Sequence, residues 1–172
     1  VAVSFIVAIL ASYTALNMAG RVADTSGKVA YIWLIGGGFA MGTGIWAMHF
    51  IGMLAMDLTM NQRYDPVLTA LSAGIAISSS LFALWLVSSE RLRFRRLLPG
   101  ALIMGTGIVA MHYVGMAALQ ISEPVTWDFF WVGISVLIAM LASLAALWLT
   151  FRLRREAQQV AVLRAGAALI MG

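Results

Sequence analysis

The stretch MGTGIWAMHFIGM, residues 41–53, returns as MGTGIVAMHYVGM, residues 104–116. These two copies hold both histidines of the chain, His49 and His112, which are 63 positions apart. Each copy lies inside an apolar run that is long enough to cross a bilayer, for which about 20 residues suffice. The repeat therefore predicts two equivalent membrane helices, each carrying one imidazole in the same sequence frame.

The composition of the 172 residues indicates a polytopic membrane protein. Hydrophobic residues make up 62 % of the chain and charged residues only 10 %, whereas a soluble domain carries about 25 % charged residues. The net charge of +4 does not predict nucleic-acid binding, because the basic residues lie in short segments between apolar runs. Cysteine is absent, which excludes disulfides, thiolate metal sites and iron–sulfur clusters.

The apolar runs predict an all-α fold, a polytopic transmembrane helical bundle built from repeated helical hairpins. We expect five full spans and the start of a sixth, which begins near Val160. The first run has no basic segment before it and is predicted to be a retained span rather than a cleaved signal peptide. The five spans are predicted at about Val1–Met18, Tyr31–Met56, Val67–Ser88, Leu97–Leu119 and Phe129–Phe151.

Basic residues predict the orientation of the bundle. The loops Glu90–Arg96 and Arg152–Glu156 carry four and three arginines, and the loops on the other side are poorer in basic residues. By the positive-inside rule the arginine-rich loops are cytoplasmic, which places the N-terminus outside.

The repeats indicate a single domain, residues 1–172, made of three units at about 1–60, 67–120 and 129–172, the last one truncated. The odd-numbered spans share a stripe of small residues that favours close helix packing. We also consider that Ser12, Ser80 or Ser143 in this stripe accepts the free ring N–H of a ligating histidine. The segment 168–172 repeats the segment 101–105 letter for letter, so we expect a third His/Met helix to begin there.

Helix geometry turns the repeated motif into a candidate metal site. Residues four apart share a helix face, so Met53 lies beside His49 and Met116 beside His112. Both helices are predicted to run in the same direction, and as neighbours they would bring the two imidazoles to one depth. Methionine selects Cu(I) and histidine binds copper in either oxidation state. The four side chains therefore predict a four-coordinate copper site.

Other residues in or near the motif are predicted to be second-tier metal ligands or helix-packing residues. A second tier of metal ligands consists of Met48, Met111 and Met56. The glycines near the site are interpreted as positions of close helix packing, namely Gly42, Gly52, Gly105 and Gly115. The remaining methionines are interpreted as core filling, in particular Met18, Met41, Met60 and Met140.

Three other interpretations of the histidine pair stay open. Two histidines at one depth also suit a bis-histidine haem b, although haem does not explain the methionine at i+4. A channel or transporter would show acidic or broken-helix positions in mid-span, and none is visible. The third interpretation is a structural pair without a cofactor. No carboxylate accompanies the histidines, so we predict no catalytic residues and no enzyme.

At these residues the chain resembles the MHYT-domain family of bacterial integral-membrane sensors. The matching segments are Met48-His49-Phe50-Ile51 and Met111-His112-Tyr113-Val114. The threonine of the family motif is missing from both copies, and the tyrosine is present only in the second. The resemblance covers nearly the whole chain.

The resemblance implies a sensory function in the bacterial cytoplasmic (inner) membrane. Such domains are proposed to bind copper and to sense a diatomic gas, namely O2, CO or NO. They commonly precede a cytoplasmic output domain, including modules that make or hydrolyse cyclic di-GMP. The implied partners are membrane lipid, the gas and the output domain, with no nucleic acid contacted by this domain. A homo-oligomer that supplies a third His/Met helix stays open.

Overall fold

The computed structural model describes residues 2–55, 63–88, 94–120 and 127–171, the last nineteen of these by their backbone. Within these ranges it contains five α-helices and two short β-strands. The helices are α1 (Ala2–Asp24), α2 (Gly27–Leu54), α3 (Pro66–Ser88), α4 (Phe94–Ala117) and α5 (Phe129–Met171). The strands are β1 (Arg63–Tyr64) and β2 (Leu119–Gln120).

In the described part of the chain, four helical segments are long and apolar enough to cross a membrane. They are Gly27–Leu54, Pro66–Ser88, Leu97–Ala117 and Phe129–Thr150, and they correspond to the second to fifth predicted spans. Helix α1 has 23 residues and packs on α2, where its Met18 lies against Gly37. The predicted helical membrane bundle is thus confirmed, while the count of five full spans and a sixth stays a prediction.

Helix α5 departs from the prediction at its C-terminal half. The sequence predicts a loop at Arg152–Glu156, but the backbone continues as one helix of 43 residues from Phe129 to Met171. Such a helix is about 65 Å long, roughly twice the hydrocarbon thickness of a bilayer. The segment after Phe151 is rich in Leu, Arg, Ala and Gln and lacks proline, so local propensity favours helix over a turn.

Helices α2 and α3 are antiparallel and approach closely through glycine. A β-carbon at Gly37 would lie 2.9 Å from the side chain of Leu84, and one at Gly42 would collide with the backbone of Ile77. In a membrane, where lipid is as apolar as the side chains, such small-residue contacts are a main source of helix association.

The same contacts return between α4 and α5, shifted by 63 positions. Gly100 faces Leu147 and Gly105 faces Met140, so α4 and α5 are also antiparallel. Because α3 is antiparallel to α4 as well, with Ser79 against Gly107, helices α2 and α4 run in the same direction. This confirms the predicted relation between the two histidine helices.

Aspartates begin α3 and α5 at equivalent positions. Oδ1 of Asp65 accepts hydrogen bonds from the backbone N–H groups of Val67 and Leu68, each at 2.9 Å. Oδ1 of Asp128 accepts one from Phe130 N–H, also at 2.9 Å. Both carboxylates satisfy N–H groups that a helix leaves without an intrahelical partner, so they define where the two helices begin.

A short sheet joins the segments that follow the two histidine helices. Strands β1 and β2 are antiparallel, with Arg63 opposite Gln120 and Tyr64 opposite Leu119. The backbone N–H of Asp65 extends this contact by donating to the carbonyl of Ala118 at 2.8 Å. We name residues 63–65 with 118–120 the clasp. It ties the C-terminal end of α4 to the start of α3.

The buried apolar cluster lies at the other end of α2, α3 and α4. It comprises Ala19, Leu84, Leu86, Val87, Leu97, Ala101 and Leu147. Leu84 lies at the level of Gly37, three turns before His49 on α2. The histidines are therefore held between this cluster on one side and the clasp on the other.

Candidate metal centre

The structure brings the two histidines into direct contact. The ring centroids of His49 on α2 and His112 on α4 lie 4.9 Å apart, and the ring planes meet at 65°, which is an edge-to-face arrangement. Parallel helices with one repeat pattern place equivalent residues at the same level. The prediction that the two imidazoles meet is confirmed.

One nitrogen of the pair is buried without a hydrogen bond among the described residues. Nε2 of His49 is buried and makes no hydrogen bond to any described residue. An unsatisfied buried polar group costs about 1–3 kcal/mol. The atom faces Gly115 of α4, where a β-carbon would lie 2.8 Å from it. The missing side chain at residue 115 therefore lets the imidazole of His49 pack directly against α4.

One methionine of the motif follows each histidine on its helix. Both α2 and α4 stay helical through the motif, so Met53 and Met116 lie one turn after His49 and His112. Long side chains on a helix point back toward its N-terminus, so each thioether is expected on the side of its histidine. Met53 is only 5 % exposed and Met116 is half-buried. Gly52, half-buried, lies on the same face of α2.

Two of the three second-tier methionines belong to the described residues, and one of them lines a cavity. Met111 is buried and lines a cavity between α2, α3 and α4 together with Met41 and Met104. Met48 is half-buried on α2. Met56 lies outside the described residues. Met111 therefore lies toward α3. The sequence did not predict the cavity that it lines.

Three of the four motif glycines lie against neighbouring helices. Gly42, Gly105 and Gly115 are buried, and a β-carbon at each would meet a neighbouring helix. Serines of the small-residue stripe are buried too. Ser143 donates to the carbonyl of Ala139 at 2.7 Å, and Ser80 lines the cavity beside Met41. Neither contact supports a bond to a histidine, and the side chain of Ser12 is not among those described.

Aromatic residues surround the histidines in two equivalent pairs that were not predicted from the sequence. Phe50 lies 5.4 Å from His49 and 5.5 Å from Tyr64, measured between ring centroids. The second copy places Tyr113 at 5.0 Å from His112 and 5.4 Å from Trp127. Tyr64 and Trp127 are 63 positions apart, and this offset was the signal that could have identified them. Burial raises the pKa of Tyr64 above its ordinary value.

Hydrogen bonds to two equivalent serines hold Trp46 and Tyr113 in place, next to and within the aromatic shell of Phe50, Tyr64, Tyr113 and Trp127. Trp46 Nε1 donates to Ser72 Oγ at 3.0 Å, and Ser72 in turn donates to the Thr69 carbonyl at 2.7 Å. In the second copy the hydroxyls of Tyr113 and Ser135 are 2.6 Å apart. Ser72 is fully buried, so the bond to Trp46 lies inside the bundle.

The repeat identifies the family of the chain. The family profile described as "MHYT: Bacterial signalling protein N terminal repeat" matches residues 42–100 and 105–163, two segments with the same offset as the histidines. The chain belongs to the MHYT family.

Relatives of this MHYT chain are signalling proteins. It is 58 % identical over all 172 residues to the bifunctional diguanylate cyclase/cyclic di-GMP phosphodiesterase MucR of Pseudomonas aeruginosa. It is 33 % identical over its whole length to the signaling protein YkoW of Bacillus subtilis. Over 86 % of its length it is 40 % identical to the cyclic di-GMP phosphodiesterase NbdA of Pseudomonas aeruginosa.

The MHYT chain spans only part of these relatives. It corresponds to 25 % of MucR, 22 % of YkoW and 19 % of NbdA. The catalytic activities named for MucR and NbdA lie in other parts of those proteins, so this region is a signalling domain and not an enzyme. No solved structure matches the chain.

The donor set of this MHYT chain suits a soft or borderline metal ion. No group of three His, Asp or Glu side chains occurs among the described residues, which leaves thioethers as the soft donors that accompany the imidazoles. Two nitrogens bound to one ion at about 2 Å each lie at most about 4 Å apart, a spacing that two imidazoles in contact can reach. Nε2 of His49, buried and without a hydrogen-bond partner among the described residues, suits a ligand of such an ion.

Proposed function

We propose that this chain is the membrane sensory domain of a bacterial signalling protein, which binds copper and responds to a diatomic gas (O2, CO or NO). His49 and His112 are the proposed nitrogen ligands, and Met53 and Met116 are the proposed thioether ligands. The observation that carries the proposal is the contact of the two imidazoles, 4.9 Å apart between centroids, with one buried nitrogen unpaired.

Copper is the ion that this donor set favours. Thioethers select Cu(I), while imidazoles bind copper in both oxidation states. Carboxylates, which a hard cation such as Mg²⁺ or Ca²⁺ requires, do not cluster in the described part of the chain. When bound, copper would supply an open coordination position for a gas. The protein's own contribution is to hold the imidazoles together and to exclude water with the surrounding aromatic rings.

The geometry supports copper over haem. A bis-histidine haem needs its macrocycle between the two imidazoles. Here the rings touch edge to face at 4.9 Å, which leaves no layer for a macrocycle between them. Gly115 lies directly beside His49, so the free space at the pair is narrow.

The proposed location is the bacterial inner membrane, with multiple spans and the N-terminus outside. The arginines of residues 90–96 support this orientation through the positive-inside rule. In this orientation the histidine pair and the clasp lie toward the outer face. Signals would pass through the helices to the cytoplasmic side.

The proposed partner on that side is an output domain of cyclic di-GMP signalling. The names of MucR and NbdA support this assignment, since three quarters or more of each relative lies beyond the matched region. Such coupling requires that gas binding favours one of two arrangements of the bundle over the other.

The experiment is elemental analysis with an absorption spectrum on the full-length protein purified in detergent. We expect near-stoichiometric copper, no Soret band, and loss of copper in His49→Ala and in His112→Ala. Met116→Leu should weaken Cu(I) binding, whereas Met140→Leu, which removes a thioether that packs on Gly105, should not. A Soret band, or copper that survives both histidine substitutions, would refute the proposed site.

A further inference from the structure

Helices α2, α3 and α4 line a partly open cavity that the metal site does not use. Its volume is about 50 Å³, whereas about 10–15 Å³ suffices for one water molecule. Three methionines line it, Met41, Met104 and Met111, and the walls toward α3 include Ala83, Ser79 and Ser80. The cavity is therefore large enough for a guest of a few atoms.

The cavity is mostly apolar. Eight of its ten lining residues have no side-chain hydrogen-bonding group apart from thioether sulfur, and the two serines provide the polar exceptions. A buried water needs two to four polar partners, while apolar cavities of proteins take up noble gases and small apolar molecules. Methionine is polarizable, which strengthens dispersion contacts with such a guest.

The cavity is next to the histidine pair along the chain. Met111 directly precedes His112, and Met41 lies two turns before His49. Met41 and Met104 are equivalent residues of the two repeats, and they approach the cavity from α2 and α4. The repeat that brings the two histidines together thus also brings Met41 and Met104 to two walls of the cavity. Both methionines lie about two turns closer than the histidines to the N-terminal ends of their helices.

We propose that this cavity is a docking position for a small apolar gas molecule, separate from the metal ligands. Its physiological meaning rests on the proposed function, since it would hold a diatomic gas within a few turns of the histidine pair. The binding itself needs no metal, because it depends on the shape and the apolar character of the walls.

Xenon tests the cavity without copper. The full-length protein, freed of metal by a chelator, is labelled with 13C at the methionine methyl groups and placed under xenon pressure. We expect saturable shifts at Met41, Met104 and Met111, and none at Met18 and Met140, which pack on Gly37 and Gly105. Equal shifts at all five methionines, or no shift at the three, would overturn the proposal.

Two substitutions check the position of the guest. Ala83→Val fills the cavity and should abolish the shifts, whereas Ala70→Val, on the exposed face of the same helix, should preserve them. Met104→Ala enlarges the cavity, so the shifts of Met41 and Met111 should saturate at lower pressure. Persistence of the parent's saturation curve in folded Ala83→Val, or in Met104→Ala if Ala83→Val does not fold, would contradict the assigned cavity.

The metal site and the cavity can fail separately. Xenon binding in a protein that takes up no copper would support the proposed gas site in the cavity and refute the proposed copper-based function. Copper binding without xenon binding would support the proposed copper site and refute the gas site in the cavity.

Discussion

Gly115 of α4 lies against the imidazole of His49 of α2, so that a β-carbon at residue 115 would be 2.8 Å from Nε2 and 3.1 Å from Cδ2. Real β-carbons do not approach a ring atom this closely. The absence of a side chain at residue 115 is therefore a condition for the observed histidine pair.

We predict that Gly115→Ala weakens copper binding by roughly 10-fold or more, the range seen when groups that orient metal ligands are changed. Alanine also favours helix by about 1 kcal/mol over glycine, so α4 itself should stay folded. A competition titration with a Cu(I) chelator measures the change. Gly133→Ala is the control, because nothing lies within 4 Å of its added carbon. Unchanged affinity in Gly115→Ala would show that His49 does not need its present position.

The equivalent glycines of the two repeats should respond differently to alanine. At Gly42 the added carbon collides with the backbone of Ile77, whereas at Gly105 it meets the sulfur of Met140 at 2.5 Å. A thioether can move and a helix backbone cannot. We expect Gly42→Ala to lower the free energy of unfolding by about 1–3 kcal/mol more than Gly105→Ala does. Thermal denaturation in detergent measures both, and equal losses would contradict this account.

Ser72→Ala should destabilise the bundle by about 1–3 kcal/mol, because it leaves the indole N–H of Trp46 without its acceptor. Ser78→Ala is the matched control on the same helix. Its hydroxyl donates only to the Gly74 carbonyl at an exposed position, so its loss should have little effect. The comparison uses denaturation midpoints of the two variants. A Ser72→Ala protein as stable as Ser78→Ala would mean that Trp46 finds another partner.

Tyr64 should titrate above the ordinary tyrosine pKa of about 10, because burial disfavours its phenolate. The folded chain then holds this proton more tightly than the unfolded chain. The contribution to stability is complete below the unfolded pKa and is lost as the pH rises through the raised folded value. The difference in phenolate absorbance between the parent and Tyr64→Phe measures the titration. A midpoint at or below the ordinary value would refute the burial of this phenol.

The repeated motif was sufficient to predict the histidine pair. Hydropathy located four of the membrane helices, and the shared frame of His49 and His112 predicted parallel helices with imidazoles at one level. Those features depend on local periodicity and on chain direction, which a sequence displays. The sequence predicts that the motif glycines pack closely against neighbouring helices. It does not predict the residues that they contact, such as Ile77, because these depend on how two helices are rotated against each other.

Other features depend on contacts between distant segments and were not predicted. The clasp pairs two-residue strands, which are too short to leave an alternating pattern. The cavity arises where Met41, Met104 and Met111 fail to fill the space between three helices, and no single helix reveals that. The helical path through residues 152–156 reflects strong helix formers, which outweighed the charge pattern that predicted a loop.

Equivalent residues make equivalent helix contacts in the two halves of the chain. Since Gly42 meets Ile77 as Gly105 meets Met140, the two halves are replicates of one design within a single chain, and each difference between them is a substitution that the architecture already accepts. Phe50 stands where Tyr113 stands in the other half, and Tyr64 where Trp127 stands. One half thus has phenylalanine where the other has Tyr113, and one half has tryptophan where the other has Tyr64, so neither position requires a phenol in both halves. His and the methionine one turn later are, by contrast, among the side chains that both halves keep.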